Sequence, residues 1–198
     1  DFAQILHILM GADLMENSIV VNVGKMKLTL PLVHSPSVSF YSFNMMGNTA
    51  LNVEAAKEIV KQVKQPFDCL VTIESKAIAL TQEIAKLLNI EKYVVVRKSV
   101  KSYMLDPQII EGHTILSGQC QYVVDQDELD YMKNKKIMIV DDVISTCGTI
   151  DSVITLLQKH RVEVSQISCV FLEGNQKSDF KGIPVISCGF FPLPEKKV

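Results

Sequence analysis

Two adjacent carboxylates and a hydroxyl-rich turn form the segment of this chain best suited to chemistry. An apolar run that begins at Ile137 leads into Asp141 and Asp142, and residues 145–149 then read Ser-Thr-Cys-Gly-Thr before a helical pattern. In open α/β sheets, ligands bind beyond the carboxyl ends of the strands. Backbone N–H groups of such a turn, with the positive end of the next helix, suit a phosphate. Because carboxylates repel anions but accept hydrogen bonds from sugar hydroxyls, the segment predicts a site for a phosphorylated sugar.

A simpler interpretation of the same two acids stays open. Asp141 and Asp142 stand before a helix, where acidic side chains also stabilise the helix start without binding any ligand. Which interpretation holds depends on the other groups that the fold brings to this turn.

The elements that must position the turn alternate between strands and helices. Apolar runs of strand length occupy residues 69–73, 93–96, 137–140 and 167–172. Helical spacing of apolar residues occupies residues 77–88 and 150–159. Asn89, which tolerates the left-handed conformation, is expected to end the first of these helices. Continuous apolar strands separated by helices indicate a parallel sheet covered on both faces. The expected fold class is therefore α/β, with an open, mostly parallel central sheet flanked by helices.

The N-terminal region is more mixed. Periodicity predicts a helix over residues 2–15 and a hairpin of two strands, 19–23 and 26–30, around Gly24. Residues 31–46, rich in serine and aromatic side chains, are expected to be irregular.

Two further elements are expected along the chain. Asn52 is the expected N-cap of a helix that runs to about residue 63. A second hairpin, of residues 113–116 and 121–124, is expected about Gly118.

Composition excludes several classes of function. The 198 residues include 20 Lys+Arg against 22 Asp+Glu, a net charge of −2, and only Arg97 and Arg161 are arginine. A surface that binds nucleic acid needs clustered cations, so no nucleic-acid partner is expected. With 47% hydrophobic residues the chain can bury a core. No stretch approaches the ~20 consecutive apolar residues of a membrane span, so no membrane partner is expected.

The cysteines indicate the compartment. They are five in number, widely spaced and without a Cys-x-x-Cys pair: Cys69, Cys120, Cys147, Cys169 and Cys188. Neither a zinc site nor a disulfide framework is expected, and reduced thiols favour a cytoplasmic location.

Three segments together resemble the type I phosphoribosyltransferases. Residues 137–149 are similar to the signature that binds phosphoribosyl pyrophosphate (PRPP): an apolar strand, two acids, two apolar residues and a small, hydroxyl-rich loop ending in Thr. Residues 71–77, Val-Thr-Ile-Glu-Ser-Lys-Ala, resemble the family's pyrophosphate loop, which often carries a cis peptide bond. Residues 93–99 resemble the strand that leads into its mobile catalytic loop. The likeness extends over about residues 42–188 and is strongest to the adenine and xanthine enzymes.

The resemblance implies one phosphoribosyltransferase domain over residues 1–198. A small N-terminal hood would span residues 1–48 and the core residues 49–188. The mobile-loop region would span residues 98–118 and include an antiparallel hairpin. The family also implies a homodimer.

The implied reaction transfers the 5-phosphoribosyl group of PRPP to a purine base and releases pyrophosphate, a step of purine salvage. Adenine is the favoured base, with xanthine, hypoxanthine and guanine as alternatives. Mg²⁺ would be held by PRPP, without a direct protein ligand. The family's transition state resembles an oxocarbenium ion, so positioning and charge stabilisation are expected and no catalytic residue is assigned.

The resemblance also assigns roles to individual residues. The ribose hydroxyls and 5′-phosphate of PRPP would be bound by Asp141, Asp142, Ser145, Thr146, Cys147, Gly148 and Thr149. The pyrophosphate would be bound by Ser75, Lys76, Arg97, Lys98 and Lys101. Lys101 fits a solvated loop lysine equally well. Asn44 is the expected base contact, while Phe40, Tyr41 and residues 190–191 either stack on the base or belong to the core.

Several positions depart from the family pattern. Cys147 and Ala77 stand where relatives carry Gly, which permits unusual backbone angles. Gly174 follows Glu173 where the xanthine enzymes have a lysine, and the loop glutamate of the adenine enzymes has no counterpart. Two alternatives to an enzyme therefore stay open: a PRPP- or nucleotide-binding regulator, and a catalytically degenerate paralogue. Cys147, close to a helix N-terminus, is the cysteine expected to react fastest when the site is empty.

Overall fold

The structure is a computed structural model that describes residues 17–35, 38–114, 118–174 and 178–194. The helix predicted for residues 2–15 lies outside the described residues. The strands of the described part are β1 (Ser18–Val23), β2 (Met26–His34), β3 (Ser39–Tyr41), β4 (Cys69–Ile73), β5 (Tyr93–Val96), β6 (Pro107–Thr114), β7 (Gly118–Asp125), β8 (Lys136–Ile144), β9 (Glu163–Glu173), β10 (Asp179–Phe180) and β11 (Ile183–Phe191). Its helices are α1 (Thr49–Gln62), α2 (Ile78–Leu87), α3 (Gln126–Met132) and α4 (Gly148–Lys159).

Six strands form the central sheet, in the order β10-β11-β9-β8-β4-β5. Its pairs are parallel except for the antiparallel pair of β10 and β11 at one edge. All five residues of β4 are buried, as expected of a strand covered on both faces. The mostly parallel α/β sheet predicted from the apolar runs is therefore confirmed.

The two faces of the sheet bury separate hydrophobic clusters. Ile139 of β8 belongs to one cluster, together with Val153 of α4. Val140, the next residue, belongs to the other cluster, together with Ile59 of α1 and Val23 of β1. This alternation is the period of a β-strand. Both faces of the sheet are therefore covered by packed side chains. This packing fixes the positions of β4 and β8, whose carboxyl ends carry the sequence motifs.

The start of α1 differs from the prediction. The helix begins at Thr49, and the side chain of Asn48 caps it by accepting a hydrogen bond from the backbone N–H of Leu51 at 3.1 Å. Asn52, predicted as the cap, lies inside the helix and is buried. Its Nδ2 donates to the carbonyl oxygens of Met45 at 2.9 Å and Asn48 at 2.8 Å. The prediction was wrong because Asn48 and Asn52 lie four residues apart and both suit a cap. Asn48 alone stands where the preceding loop ends and the helix begins.

The hairpin predicted about Gly24 is confirmed, with longer strands than predicted. The second predicted hairpin also forms, but residues 115–116 lie outside the described residues and Gly118 is the first residue of β7 rather than part of the turn. β1 and β2 pair about Gly24, and β6 and β7 pair next to Gly118. The irregular region predicted for residues 31–46 is partly wrong, because β2 continues to His34 and pairs with β3. β6 already begins at Pro107, and β11 was not predicted. Backbone pairing with a neighbouring strand supports these segments, although their side chains do not alternate in polarity.

β8 does not end before the two acids. It continues through Asp141 and Asp142 to Ile144, because β9 runs beside it as far as the partner residue Leu172. The strand end predicted at residue 140 is therefore wrong. The hydroxyl-rich turn still follows the strand directly.

The β6–β7 hairpin forms its own two-stranded sheet and lies against α4. Reciprocal backbone hydrogen bonds of 2.8 and 2.9 Å between Arg97 and Val123 join β7 to the end of β5. Gly112 permits the close approach to α4, since a Cβ there would lie 2.7 Å from Cε2 of Tyr122 and 2.7 Å from Oγ of Ser152. The hairpin is therefore fixed both to the central sheet and to the first turns of α4.

Candidate active site

A cleft of about 620 Å³ opens at the carboxyl ends of β4 and β8. The loop after β4 contributes Ser75 and Lys76 to its lining, and β8 contributes Asp141 and Asp142. The turn of residues 145–149 and the segment of residues 38–43 also line the cleft. The structure therefore brings the two acids, the hydroxyl-rich turn and the Ser-Lys loop together, while their roles in binding stay predictions.

The two acids have different surroundings. Burial, and after it the charge of Asp142, holds the pKa of Asp141 well above the ordinary value of an aspartic acid. Oδ1 of Asp141 accepts a hydrogen bond from the backbone N–H of Asp142 at 2.8 Å. The side chain of Asp142 points to Lys76, whose Nζ lies 3.1 Å from Oδ2. This ion pair joins the loop after β4 directly to β8.

The loop after β4 has the backbone expected from the resemblance. The peptide bond between Glu74 and Ser75 is cis, which confirms that expectation. Ala77, at the position where relatives carry Gly, is fully buried and has a φ of −90°. Any residue adopts this φ, so the absence of glycine at Ala77 introduces no backbone strain.

Glu74 is a candidate functional residue whose role is not evident from the sequence. Its Oε2 accepts a hydrogen bond from the backbone N–H of Lys98 at 2.9 Å. Nη2 of Arg97 lies 3.3 Å from Oε1, and Nζ of Lys101 lies 3.6 Å from Oε2. The hydrogen bond from Lys98, followed by the charges of Arg97 and Lys101, lowers the pKa of Glu74 against the opposing effect of burial. Glu74 therefore holds the segment after β5 against the end of β4.

Not all of the predicted pyrophosphate residues reach the cleft. Ser75, Lys76 and Lys98 line it, whereas Arg97 and Lys101 face the carboxylate of Glu74. The sequence did contain a signal for this cluster. Glu74 follows β4, and the cations Arg97 and Lys101 follow β5, which is the parallel neighbour of β4. The pyrophosphate roles of Arg97 and Lys101 stay predictions.

Cys147 has a backbone conformation that favours glycine. Its φ is 64°, in the left-handed region that costs a residue with a Cβ roughly 1–2 kcal/mol. Cys147 is 9% exposed and lines the cleft just before α4 begins at Gly148. The first N–H groups of a helix have no partner within it, so the start of α4 offers backbone donors to an anion at this turn.

Thr149 lies between the cleft and the β6–β7 hairpin. It lines the cleft, and its Oγ1 accepts a hydrogen bond from the hydroxyl of Tyr122 at 3.1 Å. Tyr122 is 1% exposed, and burial raises its pKa to about 12. Tyr122 was not predicted from the sequence, because a tyrosine in an apolar strand is typical of a core.

Aromatic residues form part of the cleft lining. Phe40 and Tyr41 line the cleft, as does Phe191, although its side chain is fully buried. Phe171, with its ring centroid 5.4 Å from that of Phe191, connects the cleft to the core. Phe190 packs against the hydrophobic cluster on the other face of the sheet. The pair at residues 190–191 is therefore divided between the core and the cleft.

Asn44, the predicted base contact, lies beside the cleft but does not line it. Its exposed side chain accepts a hydrogen bond from the backbone N–H of Met46 at 3.0 Å. The neighbouring residues Ser42 and Phe43 do line the cleft. A base contact by Asn44 stays a prediction.

Residues 17–35, 38–114, 118–174 and 178–194 contain no group of three or more His, Cys, Asp or Glu side chains arranged to hold a metal ion. Within the same ranges, every helix is too short or too polar to cross a bilayer.

Comparison with known proteins identifies the family. Residues 48–189, more than half of the chain, match the family described as the phosphoribosyl transferase domain. The hypoxanthine/guanine phosphoribosyltransferase of Methanothermococcus okinawensis is 33% identical over 135 residues, covering 68% of this chain and 69% of that protein. The adenine phosphoribosyltransferase of Petrotoga mobilis is 28% identical over 144 residues, covering 71% of each.

The fold agrees with this match. The crystal structure of adenine phosphoribosyltransferase from Thermoanaerobacter pseudethanolicus has a TM-score of 0.65 to this structure at 16% identity, covering 91% of this chain and 99% of that chain. At that identity the likeness shows the fold alone. Together with the match over residues 48–189, it establishes that this chain belongs to the phosphoribosyltransferase family.

Proposed function

We propose that this chain transfers the 5-phosphoribosyl group of PRPP to a purine base and releases pyrophosphate. The observation that carries the proposal is the ion pair between Lys76 and Asp142, 3.1 Å apart. It places a cation suited to a diphosphate next to a carboxylate suited to sugar hydroxyls, at the edge where α4 presents its N-terminus. The same cleft therefore offers a complementary group to each part of PRPP.

Each part of the substrate has a distinct partner in this proposal. The 5′-phosphate binds the turn of residues 145–149 and the first backbone N–H groups of α4. Asp141 and Asp142 accept hydrogen bonds from the ribose hydroxyls. Ser75, Lys76 and Lys98 hold the diphosphate from the other side of the cleft.

The proposed chemistry needs no nucleophile from the protein. A ring nitrogen of the base forms a bond to C1 of the ribose as the bond from C1 to the diphosphate oxygen breaks, and the electron pair of that bond leaves with pyrophosphate. The N–H proton that the base loses passes to the pyrophosphate or to solvent. Positive charge that develops on the ribose is stabilised by the nearby carboxylates, and negative charge on the leaving group by Lys76 and Lys98. The main contribution of the protein is to hold the base and C1 in line.

Mg²⁺ fits this site as a partner of the substrate rather than as a bound cofactor of the protein. The described residues have no side-chain cluster that would hold a metal by itself. Mg²⁺ commonly keeps few protein ligands and uses substrate phosphates instead. It would neutralise part of the diphosphate charge, while Asp141 and Asp142 supply oxygens close to the ribose.

The base would bind on the side of the cleft that carries aromatic residues. Phe40 and Tyr41 offer ring surfaces there, and aromatic faces suit a flat purine. Adenine is the base favoured from the sequence, whereas the relatives described above include both a hypoxanthine/guanine and an adenine enzyme. The proposal therefore covers purines as a class. The proposal also includes that the protein forms a homodimer, lies in the cytoplasm and acts in purine salvage.

Product analysis tests this function. The protein is incubated with Mg²⁺, PRPP and one purine at a time, and the nucleoside monophosphate is identified by liquid chromatography and mass spectrometry. We expect one monophosphate product, and a loss of at least about a hundredfold in kcat/KM in the variants Asp141→Asn and Asp142→Asn. Full activity in both variants would contradict the assigned ribose contacts, and no product with any purine would contradict the transferase function.

A further inference from the structure

A chain of hydrogen bonds connects the buried side of the β6–β7 hairpin to the cleft. Sγ of Cys120 lies 3.5 Å from the hydroxyl oxygen of Tyr122 and donates to it. The hydroxyl of Tyr122 donates in turn to Oγ1 of Thr149 at 3.1 Å. Thr149 lines the cleft, whereas Tyr122 is 1% exposed. The buried hydroxyl of Tyr122, which no ligand reaches, is therefore hydrogen-bonded to Thr149, which a ligand in the cleft would contact.

The direction of these hydrogen bonds decides what Thr149 can offer. A phosphate dianion only accepts hydrogen bonds, so a hydroxyl that contacts it must donate its single hydrogen. Because Tyr122 donates to Oγ1, the hydrogen of Thr149 remains available for another acceptor. Hydrogen bonds in such a chain also polarise one another.

We propose that Tyr122 is a positioning residue for the 5′-phosphate, acting through the hydroxyl of Thr149. This inference rests on the proposed function of the cleft and adds a residue outside the matched sequence motifs. Tyr122 makes no contact with substrate. It holds Oγ1 of Thr149 so that the hydrogen of that hydroxyl is donated toward the phosphate.

The packing around Tyr122 fixes the position of its hydroxyl. A Cβ at Gly112 would lie 2.7 Å from Cε2 of the Tyr122 ring, so β6 passes directly over the ring. The same Cβ would lie 2.7 Å from Oγ of Ser152, which donates to the carbonyl oxygen of Gly148 at 3.1 Å. The ring is therefore enclosed between the hairpin and the first turn of α4. The hydroxyl of Tyr122 is protonated at neutral pH and able to donate, and burial raises its pKa further, to about 12.

The variant Tyr122→Phe tests the proposal, because it removes the hydroxyl and keeps the ring. Isothermal titration calorimetry measures binding of two probes, ribose 5-phosphate and inorganic pyrophosphate. We expect the Kd of ribose 5-phosphate to rise about fivefold, the effect of one hydrogen bond, and the Kd of pyrophosphate to stay unchanged. In turnover, KM for PRPP rises by the same factor while kcat stays unchanged, the pattern of lost uniform binding.

Two further variants separate positioning from a general structural effect. Thr149→Val removes the hydroxyl through which Tyr122 acts, so adding Tyr122→Phe to it has no further effect on the Kd of ribose 5-phosphate. Tyr93→Phe removes a hydroxyl from β5, outside the cleft lining, and leaves both affinities unchanged.

Three outcomes would overturn the inference. The first is an unchanged Kd for ribose 5-phosphate in Tyr122→Phe, and the second is an equal loss of affinity for ribose 5-phosphate and pyrophosphate. The third is a full additional loss when Tyr122→Phe is combined with Thr149→Val. If the unsubstituted protein binds no ribose 5-phosphate, this inference fails, whereas the proposed function fails only if no purine gives a nucleoside monophosphate. The first three outcomes leave the proposed function intact.

Discussion

Nζ of Lys76 lies 3.1 Å from Oδ2 of Asp142. The two residues come from neighbouring parallel strands, Lys76 from the loop after β4 and Asp142 from β8. The side chain of Lys76 is 48% exposed and that of Asp142 is 11% exposed. In the proposed complex the lysine faces the diphosphate and the carboxylate faces the ribose. The ion pair therefore marks the point where the two halves of PRPP meet.

Removing the charge of Lys76 should weaken PRPP binding. We expect Lys76→Met to raise KM for PRPP at least about tenfold, because a charge-assisted hydrogen bond contributes roughly 1.5–3 kcal/mol. Steady-state kinetics with varied PRPP measure this effect. Lys86→Met is the matched control, since Lys86 lies on α2, outside the cleft lining, and pairs with Glu83 at 3.0 Å. Equal KM values for the two variants would show that Lys76 does not contact the substrate.

Glu74 should make stability depend on pH in the acid range. Its pKa in the folded protein is lowered from an ordinary value of 4.5. The stabilisation is therefore fully present above pH 4.5 and is lost as the pH falls through the lowered value. We expect Glu74→Gln to be less stable than the unsubstituted protein at neutral pH, and the difference to shrink as the pH falls below 4.5.

Urea unfolding at several pH values measures this difference. Glu83→Gln is the control, because Glu83 has the same side-chain exposure, 23%, in a simple helix-surface pair with Lys86. A stability difference for Glu74→Gln that stays constant down to about pH 3 would contradict the role of the Glu74 carboxylate.

The left-handed backbone at Cys147 allows its strain to be measured. Alanine keeps a Cβ at a φ of 64°, whereas glycine removes it. We expect Cys147→Gly to be more stable than Cys147→Ala by about 1 kcal/mol, the reverse of the order in an ordinary helix. Thermal and urea unfolding of the two variants measure the difference. A Cys147→Ala variant as stable as Cys147→Gly would indicate that the turn does not hold this backbone angle in solution.

Cys147 should be the thiol that reports on the state of the cleft. Burial raises the pKa of Cys69 to about 11 and that of Cys188 to about 12, and also raises that of Cys169, so few of these thiols ionise at neutral pH. Cys147 lines the cleft at the start of α4. We expect iodoacetamide to modify Cys147 first, and Mg²⁺ with PRPP to slow this reaction. Peptide mass spectrometry follows each cysteine, and Cys120, outside the cleft lining, is the internal control.

Two results of the iodoacetamide experiment would contradict this prediction. Equal alkylation rates of Cys147 with and without PRPP would show that the turn does not enclose the phosphate. Protection of Cys120 by the same factor would indicate a general change in accessibility instead.

Much of the fold followed from the sequence because apolar runs and their spacing reflect burial. The run at residues 69–73 predicted β4 with its observed bounds, and Asn89 ended α2 with a φ of 53°. β11 and residues 107–112 of β6 were not predicted, because pairing with a neighbour rather than side-chain pattern determines where such strands form. Asn52 was mistaken for a cap because local sequence does not show which of two asparagines stands at the helix start.

The site followed from the sequence only where a motif is contiguous. Asp141, Asp142 and the turn of residues 145–149 lie in one segment, and the fold keeps them together in the cleft. Contacts between distant segments were not visible. The contacts of Arg97 and Lys101 with Glu74 and the hydrogen bond between Tyr122 and Thr149 depend on how β5 and the hairpin pack. Such relationships appear only in three dimensions.

The central claim is that this cleft transfers a phosphoribosyl group from PRPP to a purine. The most direct measurement is pyrophosphate release from Mg²⁺ and PRPP, with adenine, hypoxanthine, guanine, xanthine, uracil and orotate offered separately. We predict release with at least one purine, none with uracil or orotate, and little with any base in Asp142→Asn. No release with any purine, from protein whose melting temperature still rises with PRPP, would contradict the claim and identify a PRPP-binding protein without transferase activity.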